Sequence, residues 1–324
     1  MSISAKIIGV GSSVPKTVIT NSMLEEIMDT TDEWIKKRTG IKERRVVTEE
    51  TATSMAIDAS KEALAHAKIK ANDIDIIIGT TVTSDYATPS VASLVQKGIK
   101  CEKAVAMDIA AGCTGFIYAV TTMVSLMETL NLETGLIVST ETLSNRVNWE
   151  DRSTCILFGD GAGAVVIKRS IKNHIKHPII TGVIDENDVL IMNSKRNDNP
   201  WSKTQSNDDI ALYMNGNDVF AFAVDAVEKT LKELQALMGE EKIDKIIPHQ
   251  ANSRIIRFAA SSTDFDRKQF YVNVDKYANT SSATIPIALC EANESGWLKK
   301  GDNVALVGFG AGLTYGGIVI EWDL

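Results

Sequence analysis

Ile74-Asp75-Ile76-Ile77-Ile78 returns in the second half of the chain as Ile243-Asp244-Lys245-Ile246-Ile247, and this pair decides how the rest is read. Each run has the pattern Ile-Asp-x-Ile-Ile. Short, nearly continuous apolar runs of this kind suit strands covered on both faces. A second landmark recurs in the same order. Gly159-Asp160-Gly161-Ala162-Gly163 and Gly308-Phe309-Gly310-Ala311-Gly312 each precede an apolar strand. Matched landmarks in one order point to an internal duplication, against the competing reading of chance likeness between apolar strands and glycine turns.

Working outward, residues 6–10, 105–108, 135–140 and 162–168 read as further strands. Ala56, Ala59, Ala63 and Ala67 recur at helical spacing over residues 53–69, and Phe220, Ala223, Val224, Val227, Leu231 and Leu234 form a helical stripe in the second half. Strands alternating with helices predict an α/β fold with helices on both sheet faces. At 324 residues the chain exceeds what one core usually serves. We therefore expect two halves, 1–171 and 172–324, joined in the charged stretch 169–178. A polar stretch, 193–209, with Pro200 and Trp201, reads either as a loop at a ligand entrance or as a plain insertion. Gly9-Val10-Gly11 lacks the third glycine of a dinucleotide site, and the GxGAG runs lack the Lys-Ser/Thr of a phosphate loop. Tight turns between strands are the better reading of these glycines.

Net charge is −8 and no basic cluster is interleaved with aromatics, which disfavours nucleic acid but leaves an acidic carrier protein possible. The N-terminus has no long apolar core or small-residue cleavage site, so no signal peptide is expected. Residues 109–127 are uncharged, yet their Ala, Gly, Thr and Ser content points to a buried helix rather than a membrane span. The four cysteines, Cys101, Cys113, Cys155 and Cys290, form no CxxC pair. A cytoplasmic chain would keep them reduced, and three read as small core residues.

Cys113 sits in Ala110-Ala111-Gly112-Cys113-Thr114-Gly115-Phe116, where a strand gives way to a helix. A sharp turn there can expose the side chain, and N–H groups at a helix start favour a thiolate and can hold an oxyanion. A small core cysteine fits the same residues. His249 follows Pro248 at a strand's carboxyl end, where open sheets place ligand chemistry. His66 reads as solvated, and His174 with His177 lack further metal ligands. Asn279 precedes Thr280, Ser281 and an apolar helix, as a helix cap or as an amide donor to an anion.

Cys113, His249 and Asn279 in that order, within AGCTGF, HQANSRI and NTSSATIP, resemble the β-ketoacyl-acyl carrier protein synthase III family. So do Thr31-Asp32-Glu33-Trp34, Asp151-Arg152-Ser153-Thr154, and the two GxGAG runs, collinear over the whole chain. The resemblance implies a thiolase-like five-layer αβαβα fold and a homodimer. It implies that Cys113 takes an acyl group from acyl-CoA, and that malonyl-acyl carrier protein then condenses with it, initiating fatty acid biosynthesis without metal or redox cofactor. His249 and Asn279 would hold the enolate, and the N–H groups of Cys113 and Ala311 the oxyanion. Trp34, Arg38 and Arg152 match positions that grip CoA. Gly216, Asn217, Phe220, Ala223, Ala251 and Asn252 match the pantetheine channel, and Arg254 a carrier-protein docking position.

The chain departs from the family at Thr88, where many relatives carry Phe reaching into the partner's acyl pocket, and at Tyr315, where many carry Trp. Ala311 stands where relatives often have Gly, and a turn needing positive φ would strain it. The stretch 193–209 is short for the family. Within the resemblance, a paralogue with another acyl donor or a small-molecule acceptor is the alternative. A papain-type hydrolase shares the order Cys, His, Asn, but its nucleophile stands near the mature N-terminus. A non-catalytic CoA-binding scaffold is disfavoured by the intact triad.

Overall fold

In the computed structural model, residues 4–193 and 211–324 are described, so Pro200, Trp201 and nearly all of the polar stretch 193–209 lie outside the described residues. The first Ile-Asp-x-Ile-Ile run becomes the strand Ile76–Thr80, buried along its whole length. Alternate side chains serve two cores. Ile76 and Ile78 join Phe116, Met123 and Leu306 on one face, while Ile77 joins Met55, Ala59 and Val95 on the other. This is why the run is apolar throughout rather than alternating. Burying each such isoleucine is worth about 2 kcal/mol against leaving it exposed.

Two sheets carry the duplication. The first has the order Ala5–Ser13, Asp160–Arg169, Thr134–Thr142, Ile76–Thr80, Val105–Ile109. The second has the order Ile175–Gly182, Thr314–Glu321, Asn303–Gly310, Lys245–Pro248. Read from their first strands, both run antiparallel, antiparallel, then parallel. The second Ile-Asp-x-Ile-Ile run therefore occupies the place of the first. Even the first sheet's last strand has a remnant in the second, a parallel bridge from Ile246 to Phe270.

Helices Ala52–Ala67 and Val91–Ile99 cover the outer face of the first sheet, and Gly216–Met238 and Ser253–Ser261 that of the second. Between the sheets lie Gly115–Thr129 and Thr284–Glu294, in one core with residues of both sheets. The result is the expected α/β thiolase-like stack of five layers. The uncharged stretch 109–127 is thus mostly the central helix, and among the described residues no helix is long and apolar enough to cross a membrane.

Two expectations need correction. The join is shorter than the charged stretch 169–178, because Arg169 closes one strand and Ile175 opens the next. The first GxGAG run is not a turn, since Asp160 to Gly163 already pair with Ser139, Thr140, Glu141 and Thr142 in the sheet. Only the second run bends the chain between two strands.

Candidate active site

Cys113 stands on a short 3-10 turn, Gly112–Thr114, between the strand Val105–Ile109 and the helix Gly115–Thr129. The turn bends through Gly112 at φ 51°. From the other half, the end of the strand Asn303–Gly310 meets this turn. A Cβ on Gly310 would lie 2.9 Å from both the amide nitrogen and the Cβ of Cys113, so only glycine lets the two backbones approach this closely. The strain expected at Ala311 does not arise. Ala311 has no positive φ, and its neighbour Gly312 takes φ 142° instead.

His249 and Asn279 come to the same cavity by different routes. His249 follows the strand Lys245–Pro248, and its amide donates to the Val307 carbonyl at 2.7 Å. Its ring is buried, with an edge contact to Phe309 and Nδ1 2.6 Å from the Thr284 hydroxyl. Burial pushes the imidazole down to about 3, so the ring is neutral near pH 7. Thr284 Oγ1 also donates to the Ser281 carbonyl at 3.0 Å, which fixes the hydroxyl beside Nδ1. Asn279 is clamped by its own backbone, its N–H on the Leu157 carbonyl and its carbonyl accepting from Gly159. Its side-chain Oδ1 accepts from the Ser281 amide at 2.8 Å. Asn279 is not the helix cap, since Thr280 and Ala283 hold the cap positions of Ser281–Ala283 and Thr284–Glu294; its oxygen closes a local turn, which leaves the Nδ2 amide with donor capacity.

Cys113, His249, Asn279 and Ala311 all line one cavity of about 1060 Å³, with Gly216, Phe220, Ala251 and Asn252 also on its wall. Cys113 is half-buried, whereas Cys101, Cys155 and Cys290 are buried. The expected depressed thiol pKa is not what the resting site provides. Burial above all, with the Glu141 carboxylate adding to it, pushes the thiol up to about 12 against an opposing Ser281 hydrogen bond. The helix start alone does not make a thiolate here.

Other expected residues divide into groups. The Arg38 and Arg152 guanidiniums lie over the Trp34 ring at 4.8 and 5.0 Å, and Arg152 also bonds the Asp29 carbonyl. Asn252 caps the helix Ser253–Ser261 and donates to the Arg38 carbonyl at 3.3 Å, linking the Trp34 helix to the cavity rim. Arg254 rests over Phe220 at 5.3 Å, and Tyr315 meets Phe222 at 6.3 Å. Asn217 is exposed. Ala223 is fully buried in the second half's outer core, on the inward stripe with Ala226 and Val227, and so does not face a channel. Thr88 is exposed and lies off the cavity wall of its own chain. His174, read as half of an HxxH pair, bonds the Glu321 carbonyl.

The sequence reading missed three residues of the site: Ser281, Thr284 and Glu141. Glu141 had a readable signal, a carboxylate closing an otherwise uncharged strand.

Two family models match, 3-oxoacyl-[acyl-carrier-protein] synthase III over residues 107–184 and its C-terminal counterpart over residues 235–322. The β-ketoacyl-[acyl-carrier-protein] synthase III of Clostridium botulinum strain 657 is 44% identical, covering 98% of each chain. That of Clostridium acetobutylicum is 42% identical over 98% of this chain and 99% of its own.

The chain belongs to the β-ketoacyl-acyl carrier protein synthase III family.

The crystal structure of 3-oxoacyl-[acyl-carrier-protein] synthase III from Aquifex aeolicus superposes with TM-score 0.90 at 40% identity, covering 98% of this chain and all of that one. The synthase III from Thermus thermophilus gives TM-score 0.91 at 38% identity, over 98% and 99% of the two chains.

Proposed function

We propose that the protein is a β-ketoacyl-acyl carrier protein synthase III, an acyltransferase that starts fatty acid biosynthesis by condensing an acyl-CoA primer with malonyl-acyl carrier protein. The observation that carries this reading is the convergence of Cys113, His249 and Asn279, from three separate elements, on one cavity.

In the proposed cycle Cys113 Sγ attacks the thioester carbonyl, the carbonyl oxygen becomes negative, and the N–H groups of Cys113 and Ala311 receive it. The tetrahedral centre collapses, the carbon–sulfur bond to CoA breaks, and an acyl group remains on Cys113. Malonyl-acyl carrier protein then loses carbon dioxide. The electron pair of the broken bond becomes an enolate, whose oxygen takes hydrogen bonds from His249 Nε2 and Asn279 Nδ2. A neutral, dry histidine suits this role, because it donates without first trapping the carboxylate as a counter-ion. The enolate carbon attacks the acyl carbonyl, and the β-ketoacyl product leaves Cys113 as thiolate. Every step uses protein groups and the two thioesters, with no metal or redox cofactor.

CoA recognition is assigned to the Trp34–Arg38–Arg152 cluster, since a guanidinium can bind phosphate through two parallel N–H groups and stack on an aromatic face. Arg254, beside Phe220 near the cavity wall, is assigned to carrier-protein docking. A homodimer belongs to the proposal. Among the described residues the strand Val105–Ile109 ends its sheet with one side unpaired and Val105 exposed, an edge that a second copy would cover. Thr88, exposed beside that region, is then free to face the partner's acyl pocket. A cytoplasmic location accords with four unpaired cysteines.

The test is a reaction of purified protein with acetyl- and longer acyl-CoAs plus malonyl-acyl carrier protein, read by carrier-protein mass. A β-ketoacyl carrier protein is expected. Acyl-enzyme without any carrier-linked product would move the protein to a paralogue with a different acceptor.

A further inference from the structure

The carboxyl ends of three parallel neighbours, Ile76–Thr80, Val105–Ile109 and Thr134–Thr142, build the first half's side of the cavity. After them come Val82 with residues 84–87, the turn that carries Cys113, and Leu143 with Arg146. Most of this wall is apolar, and Leu157, Leu190 and Leu212 continue it. Among the described residues the charged side chains that line the cavity are Asp85 and Arg146, since buried His249 is neutral. Asp85 is spent on a helix start: its carboxylate accepts from the amides of Ala52 at 3.2 Å and Thr53 at 2.8 Å.

Arg146 has a held backbone and a free head. Its amide donates to the Leu143 carbonyl at 2.8 Å, and its carbonyl accepts from the Leu212 amide at 2.7 Å. What this half-buried residue offers the cavity is therefore its side chain. Among the described residues no hydrogen bond, ion pair or aromatic face engages the guanidinium. The other arginines near the site differ, for Arg38 and Arg152 share the Trp34 ring and Arg254 rests on Phe220. None of those three lines the cavity.

A guanidinium has five donors and a permanent charge. Beside a purely aliphatic acyl chain it would lose water without gaining a partner, which is costly. A carboxylate at the end of the chain fits it instead, because two oxygens can take two parallel N–H groups. The side of the cavity decides which part of a thioester meets it. Gly216, Phe220, Ala251 and Asn252 stand on the second half's side, and Asn252 leads to the Arg38 carbonyl and the Trp34 ring assigned to CoA. A thioester that enters there and reaches Cys113 lays its acyl chain on the first half's wall, where Arg146 stands.

We propose that Arg146 is a specificity-determining residue: the acyl group loaded on Cys113 ends in a carboxylate that its guanidinium binds, as in the acyl-CoA of a short dicarboxylic acid. Arg146 meets the far end of the chain and not the reacting carbonyl, so the acyl transfer itself is unchanged. Leu143, Leu157 and Leu212 pack the methylenes between. The assignment rests on acylation of Cys113 by acyl-CoA and names the class of donor.

The test pairs donors of equal length, succinyl-, glutaryl- and adipoyl-CoA against butyryl-, pentanoyl- and hexanoyl-CoA, with the rate of adduct formation on Cys113 read by mass. In the unaltered protein at least one dicarboxylic donor is expected to acylate about 100-fold faster than its monocarboxylic partner, the scale of a paired against an unpaired buried charge. Arg146→Leu should reverse the preference, slowing that donor about 100-fold and speeding the monocarboxylic one. Arg146→Lys should fall between, since an ammonium keeps the charge without the fork. The assignment is overturned if no dicarboxylic donor outpaces its partner, or if the preference survives Arg146→Leu. An equal loss with both series overturns it too, because the guanidinium would then serve the CoA phosphates or a subunit contact. If Arg146→Leu does not fold, Arg146→Gln is read in its place. If no acyl-CoA labels the unaltered protein, the proposed function fails. Protection of Cys113 from iodoacetamide by glutarate or adipate then decides the carboxylate site alone: protection lost in the variant supports it, and no protection overturns it.

Discussion

The two halves bring matching strand ends to one cavity, yet they treat their titratable groups in opposite ways. Cys113, in the first half, donates from Sγ to the Ser281 hydroxyl at 3.4 Å, with the buried Glu141 carboxylate raising its pKa further. His249, in the second, has one hydroxyl on Nδ1 and an aromatic edge beside its ring. Burial acts on both, but it raises the thiol and lowers the imidazole, since in each case it disfavours the charged form. The nucleophile must lose a proton to work, so it needs a route out. The histidine must stay neutral and donate, so it needs none.

The largest effect that sharpens this contrast lies on the second half. His249→Ala and Asn279→Ala should still take an acyl group on Cys113, while malonyl decarboxylation, read as carbon dioxide release, falls about 100- to 1000-fold as for a lost oxyanion donor. Unchanged decarboxylation in both would break the assignment of the second half to the enolate. A smaller effect probes the seam. Gly310→Ala pushes a methyl to 2.9 Å from the Cys113 amide nitrogen. Acylation should drop about 100-fold through misplacement of the nucleophile, with stability falling by about 1–3 kcal/mol from overpacking. A Gly310→Ala protein that acylates normally would show that the two backbones need not approach so closely.

How much of this was legible in the sequence depended on the range of the forces involved. The Ile-Asp-x-Ile-Ile pair survives as a sequence signal because each isoleucine must face one of two cores, whatever lies elsewhere. Cys113, His249 and Asn279 were visible through their local settings and their resemblance to a family. The thiol's ionisation was misread, because the helix start is local while Glu141 and the burial come from distant parts of the chain. Ser282 and Glu141 are separated by 141 positions, a contact no spacing rule announces. Ala223 was misplaced for a related reason: it follows Phe220 by three positions on one helix, but the helix turns it into the core while Phe220 lines the cavity.

The central claim is that Cys113, of four cysteines, carries the acyl group. Intact mass of the protein after incubation with acetyl-CoA and longer acyl-CoAs tests it directly. The account predicts one acyl adduct per chain, mapped to Cys113 and absent from Cys113→Ala. An adduct that persists in Cys113→Ala, or cleavage of a generic ester or peptide without any adduct from acyl-CoA, would contradict it.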